Sequence, residues 1–280
     1  MPRRTLARSA GFEGMAVHAG LITRAIVLPA PSGHGIRFRR IDLPGRPEVP
    51  ATLAEVEATE RRTAIGRPPA TIHTVEHLLA AAHALELDDL LIELDGPEPP
   101  ILDGAFAPFL DGFLGAGVVE QEGAVTIWRV RVPVEVTAGD SHYRAEPHRG
   151  LKLSVGLEFD HPAIGHQRGA WEITADGFER ELAGARTFGM IREVEALQAR
   201  GLALGASLEN AIGLDDQGVV GTTLRWPDEF VRHKAGDLLG DLALLGGRIR
   251  AHIVADRPSH HGNVMLARAL AAAGVKEMNA

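Results

Sequence analysis

The sequence contains no cysteine. That absence excludes disulfides, Cys-ligated zinc, iron–sulfur clusters and a thiol nucleophile. Any metal must be held by His, Asp or Glu, and 13 histidines are available for it. Positive charge is also scarce: 29 Lys and Arg against 37 Asp and Glu leave a net charge of -8. Such a balance argues against general affinity for nucleic acid or anionic membrane. Long apolar runs are missing as well. The basic start Met1-Pro2-Arg3-Arg4 is followed by a stretch broken by Glu13, His18 and Arg24, so a secretory core is not expected. No window approaches the roughly 18 unbroken apolar residues of a membrane helix. The expectation is a cytoplasmic protein with no integral membrane segment. The glycines form neither GxGxxG nor a P-loop, and GxSxG is absent, which leaves nucleotide-fold and serine-hydrolase readings without support.

What remains is an ordinary globular composition, 45% hydrophobic and 24% charged over 280 residues, enough chain for two domains. Residues 21–28 and 36–41 read as strands around a Pro/Ser/Gly turn. Thr74 is a candidate N-cap for a helix running to about Leu85, with Val75, Leu78, Leu79, Ala82 and Leu85 on its buried face. A strand at 89–94 and a helix at about 106–115 follow. The segment 116–124 is the best candidate linker. Beyond it lie strands at 126–136 and 151–159, the second with strict period-two alternation from Leu151 to Phe159. Helices are expected at 176–183, 190–200, 228–245 and 262–273, with a strand at 249–255. Both halves run strands first and a long helix after, which predicts an α+β protein of two similar domains, 1–122 and 123–280.

Three clusters could carry chemistry. The first is His73-Thr74-Val75-Glu76-His77. In the first turn of a helix, His73 and His77 share a face and Glu76 lies about 100° round from His77. This matches the HxxEH pattern of inverted-zincin proteases, in which both histidines bind zinc and the glutamate is the base. Taken in isolation it equally fits polar residues opening a helix and facing solvent. In the second cluster His233, Asp237 and Asp241 recur every four residues beside a leucine-rich face. His233 and Asp237 could ligate one metal from adjacent turns, with Asp241 orienting a ligand. A solvated stripe is the alternative, but unpaired carboxylates bordering a buried face would be costly. The third is Pro258-Ser259-His260-His261-Gly262-Asn263, a loop whose histidines have the pKa range of a general acid or base. Any one loop histidine taken alone is more simply a surface residue.

Taken in order, Thr74-Val75-Glu76-His77-Leu78, Ile101-Leu102-Asp103-Gly104 and Arg186-Thr187-Phe188-Gly189 are family motifs. They continue with Arg200–Gly205, Glu229-Phe230-Val231-Arg232-His233-Lys234, and Ser259-His260 with Asn263. With these the chain resembles the UDP-3-O-acyl-N-acetylglucosamine deacetylases, zinc amidases of lipid A synthesis. The resemblance spans about residues 10 to 270. It implies two like α+β domains with the active site in the cleft between them. It assigns zinc to His77, His233 and Asp237, with an open position for water; ligands of these types would also accept ferrous iron in the cell. Glu76 would be the general base, and His260 the general acid supported by Asp241. Thr187 would stabilise the oxyanion, Lys234 would contact substrate and Phe188 would pack near the sugar. An inserted βαβ unit at about 187–216 would form a hydrophobic passage for the acyl chain, lined by Ile191, Val194, Leu197, Ala203, Ala206, Ser207 and Ala211. The implied partner is an acylated UDP-sugar, bound by a monomer. The chain departs from the family pattern at Ala105-Phe106, Met190, Ala206 and Gly213. Two other readings stand beside this one: a protease with His73 as ligand, and a non-catalytic UDP-sugar or lipid-binding relative.

Overall fold

Along strand Ile22–Pro29, Thr23, Ala25 and Val27 point inward while Ile22 and Arg24 face solvent, the alternation of a sheet with one face on a core. A computed structural model describes residues 1–273 and 275–279. In its N-terminal part five strands order as Ala10–Met15, Ile22–Pro29, Leu90–Leu94, Ile36–Arg40 and Glu48–Pro50. Helices α1 (Glu76–Ala84) and α2 (Ala107–Ala116) lie against one another, and α2 also packs on Ala10–Met15. In the C-terminal part, Arg248–Asp256 is central: it pairs with Ser141–Glu146, Val125–Arg129 and Leu151–Glu158. Val134–Ala138, His166–Glu172 and Val275–Asn279 complete this seven-stranded sheet. Helix α3 (Ala175–Glu181) precedes a three-stranded unit, Phe188–Met190, Ile212–Asp215 and Gly218–Val220, whose first two strands pair in parallel around helix α4 (Val194–Gln198). Helices α5 (Glu229–Leu242) and α6 (His260–Ala273) cover the large sheet. The protein is α+β, and α1 packs against α5 where the two parts meet.

That contact explains the composition of both helices. Helix α1 is buried on every side, Ala80, Ala81 and Ala82 included, so its apolar residues need no stripe. Helix α5 offers Gly240, where a Cβ would stand 2.0 Å from the Glu76 carbonyl oxygen. Only glycine lets the two backbones approach this closely. No helix in the described residues is long and apolar enough to cross a membrane.

Several sequence expectations need correction. Thr74 does not cap α1. Its φ is 53° and Val75 takes the cap position, because the Thr74 hydroxyl donates to buried Glu98 instead. The expected linker is not free chain: Val118–Gln121 is a strand pairing with Arg3–Leu6. The β-rich region expected at 126–136 resolves into two strands, Val125–Arg129 and Val134–Ala138, separated around Pro133. Residues 190–200 hold a strand end, a 3₁₀ turn and only the short α4, because Ile191–Glu193 tightens before the α-helix begins. Phe159 lies past the end of its strand and is exposed, so it is not part of the buried alternation. His260 sits not in a loop but at the first position of α6, which opens two residues earlier than its pattern suggests.

Candidate active site

Helix α1 delivers His77 from the N-terminal part, and α5 delivers His233 and Asp237 from the C-terminal part. All three are buried. Donor atoms of the three converge: Asp237 Oδ1 lies 3.2 Å from His233 Nε2 and 3.5 Å from His77 Nε2, and the imidazole rings are 5.0 Å apart. The tautomer of His233 follows from its other nitrogen. Nδ1–H donates to the Ala185 carbonyl at 3.0 Å, leaving a lone pair on Nε2. In that neutral tautomer Nε2 does not donate to Asp237, and Oδ1 of Asp237 is buried with no hydrogen-bond partner among the described residues. Two acceptors pointing at one buried spot fit a cation. Burial also pushes the His77 pKa down, which keeps the ring in the neutral, ligating form. Two imidazoles and a carboxylate, with no thiolate, suit zinc or ferrous iron.

Phe106 walls this group. Its ring stacks on His233 at 5.0 Å and 23° and meets His77 at 4.8 Å. Gly236 makes room for it, since a Cβ there would stand 2.3 Å from the ring. The sequence marked Phe106 only as a departure from pattern; its role in fixing both imidazoles is visible only in three dimensions.

A second buried cluster adjoins the first: Glu76, Asp241 and His260. His260 Nδ1–H donates to Asp241 Oδ2 at 2.9 Å, while His260 Nε2 faces Glu76 Oε1 at 3.7 Å. Asp241 is completed by Asn263 Nδ2–H at 2.8 Å and the Thr63 hydroxyl. Thr63 also gives its backbone N–H to Glu76 Oε2 at 3.1 Å. Burial raises the Glu76 carboxyl to about 8, with His260 pulling the other way. For His260 burial works against the charge, yet Asp241 and Glu76 outweigh it and lift the imidazole to about 9. A dication held by the neighbouring triad would draw both values down.

His73 stands apart. Its backbone N–H donates to the Pro97 carbonyl at 2.8 Å and its ring lies outside both clusters. Partial burial lowers its pKa to about 4 and its Nδ1 has no partner among the described residues, so it is a half-buried, neutral histidine. On the other flank, Lys234 Nζ pairs with Asp237 Oδ2 at 2.7 Å and lies 5.7 Å from the Phe188 ring centroid. Phe188 in turn meets Phe230 edge-on at 4.8 Å. Thr187 is held between the Gly104 carbonyl and the Ile212 amide, both at 2.8 Å, two residues from the Ala185 carbonyl that orients His233. Of the expected passage residues, Ile191 is exposed while Val194, Ala206 and Ala211 are half-buried. Gly213 leaves space that Leu208 and Ile191 occupy: a Cβ there would be 2.6 Å from Leu208 and 3.2 Å from Ile191. Thr63, Glu98 and Phe106 are the contributors that sequence reasoning missed.

A family model described as UDP-3-O-acyl N-acetylglycosamine deacetylase matches residues 3–272. A Bdellovibrio bacteriovorus protein named UDP-3-O-acyl-N-acetylglucosamine deacetylase is 41% identical over 92% of this chain and 86% of its own length. Proteins of the same name from Myxococcus xanthus and Trichormus variabilis are 41% and 40% identical, over 95% and 97% of this chain and 85% and 99% of theirs. By sequence, then, this chain belongs to the UDP-3-O-acyl N-acetylglycosamine deacetylase family.

Proposed function

We propose that the chain hydrolyses the N-acetyl group of UDP-3-O-acyl-N-acetylglucosamine, giving the free amine and acetate, in the cytoplasm and as a step of lipid A synthesis. His77, His233 and Asp237 would hold one zinc or ferrous ion. When bound, the ion supplies Lewis acidity, polarising the amide carbonyl and lowering the pKa of water. Glu76 Oε1, the oxygen not tied to Thr63, accepts the proton of the attacking water. His260 gives its Nε2 proton to the departing nitrogen, and Asp241 behind it supports the charged ring. The Thr187 hydroxyl donates to the carbonyl oxygen as charge develops there. Lys234 contacts the substrate, Phe188 packs near the sugar, and the 187–216 segment takes the acyl chain.

The observation that carries this reading is the meeting of His233 Nε2 and Asp237 Oδ1 as two acceptors, beside a base and an acid on opposite sides of the same junction. A protease would need His73 among the ligands, and it is not near them. The test is acetate release from the acylated UDP-sugar by metal-loaded wild type and Glu76→Ala. Release by the wild type alone supports the reading. No release from a metal-loaded wild type would mean a binding protein instead.

A further inference from the structure

Thr63 is fully buried, at the end of a run of charged residues (Glu60-Arg61-Arg62) and just before the short strand Ala64–Ile65. Its backbone carbonyl accepts the Val75 amide at 3.3 Å, so its main chain is fastened to the residue before α1. From that fixed point it makes two bonds in different directions. The amide N–H holds Glu76 Oε2, and the hydroxyl donates to Asp241 Oδ1, 178 residues away in sequence. We infer that Thr63 is a positioning residue that sets the base against the acid across the junction. This inference rests on the hydrolytic reading above.

Each bond selects one oxygen of a carboxylate. With Oε2 of Glu76 occupied, Oε1 is left to face His260 Nε2 and any water between them. With Oδ1 of Asp241 taken by Thr63, Oδ2 is committed to His260 Nδ1 and Asn263 Nδ2, and the carboxylate cannot rotate about its bond. Asn263 is fixed in turn by the Tyr143 hydroxyl, which donates to its Oδ1 at 2.9 Å. One threonine therefore determines the facing edges of two groups that come from different parts of the chain. A donor that merely satisfied a buried carboxylate would need no second bond to the base.

The experiment compares wild type with Thr63→Val and Thr63→Ser as full-length, metal-loaded proteins. Valine keeps the shape and the amide while deleting the hydroxyl; serine restores the hydroxyl without the methyl. Thr63→Val is expected to lower kcat by about 10- to 100-fold, the usual effect of removing such an outer partner, with KM and metal content near wild type. Thr63→Ser is expected to recover most of the rate. Unchanged kcat in Thr63→Val, a serine variant as slow as the valine variant, or metal content falling together with kcat would each overturn the inference. Crystal structures of Thr63→Val supply a readout independent of turnover: the Asp241 carboxylate should turn from its wild-type orientation, while Glu76, still held by the residue-63 amide, keeps its own. An unmoved Asp241 carboxylate overturns it whatever the activity, whereas a wild type that releases no acetate defeats the functional reading instead.

Discussion

Two lone pairs held 3.2 Å apart in a buried site repel unless something positive lies between them, and that is the situation of His233 Nε2 and Asp237 Oδ1 in the neutral His233 tautomer. Asp237→Asn changes the balance in a way that can be measured. An amide nitrogen can donate to Nε2, so the metal-free fold gains a hydrogen bond while the site loses its anionic ligand. We predict a variant that no longer retains metal on dialysis, whose Tm is unchanged by a chelator and is at least that of chelator-treated wild type. Metal analysis and melting with and without chelator decide this; metal retained at full stoichiometry would refute the ligand set. Glu76→Gln is expected to keep its metal and lose turnover by about 10²- to 10⁴-fold, the range for a general base. His73→Ala should hold metal almost normally, since that ring lies outside the cluster. The pairing of His233 with Asp237 was legible in the sequence because i, i+4 spacing brings the two together before any fold is known. Thr63 was not, since one hydroxyl residue beside a charged run has no periodicity and its partner is far along the chain.

At the scale of elements, the junction depends on α1 and α5 coming close, and the same substitution has opposite signs at two glycines. Gly→Ala inside a helix ordinarily gains up to about 1 kcal/mol. At Gly115, near the end of α2, nothing lies within 4 Å of the new methyl, so a gain of about 0.5 kcal/mol is expected. At Gly240 the methyl would stand 2.0 Å from the Glu76 carbonyl oxygen, a backbone atom that cannot swing aside. Forcing the helices apart should cost about 1–3 kcal/mol or more, reversing the propensity gain, and should weaken metal retention because His77 moves with α1. Urea unfolding of both variants measures the contrast; a Gly240→Ala protein as stable as wild type would show that the helices can part freely. The apolar-rich helices α1 and α5 were foreseeable to within a few residues. What local signals missed were choices made by distant partners: Thr74 turning from the cap to Glu98, Val118–Gln121 captured as a strand by Arg3–Leu6, and α6 beginning early enough to include His260.

Over the whole molecule, the 187–216 unit is held to the N-terminal part by contacts of unequal worth. The ion pairs Arg200–Glu60 and Arg61–Glu193, both at 2.6 Å, are exposed, and pairs of that kind contribute about 0–1 kcal/mol. His18 is different. Buried in a turn whose amides at His18 and Ala19 donate to Glu98, it accepts the Ala203 amide on Nδ1 at 3.1 Å, and the flanking backbone adds Gly205 N–H to the Val17 carbonyl. Burial first, and then the nearby Arg62 charge, press its pKa down to about 3, against a small opposing pull from the Arg61 backbone. A protonated Nδ1 could not accept the Ala203 amide, so the tether exists only in the neutral form. The unfolded chain takes up this proton near pH 6.5 and the folded chain only near 3. Stability from His18 is therefore complete above pH 6.5 and is lost as pH falls toward 3, at about 1.4 kcal/mol per pH unit. His18→Asn keeps an acceptor for Ala203 but cannot titrate. Between pH 7 and pH 5 the wild type should lose about 2 kcal/mol more stability than this variant, measured as the difference between their urea-unfolding free energies. Parallel losses in the two proteins would mean that the tether survives protonation and that acid sensitivity arises elsewhere.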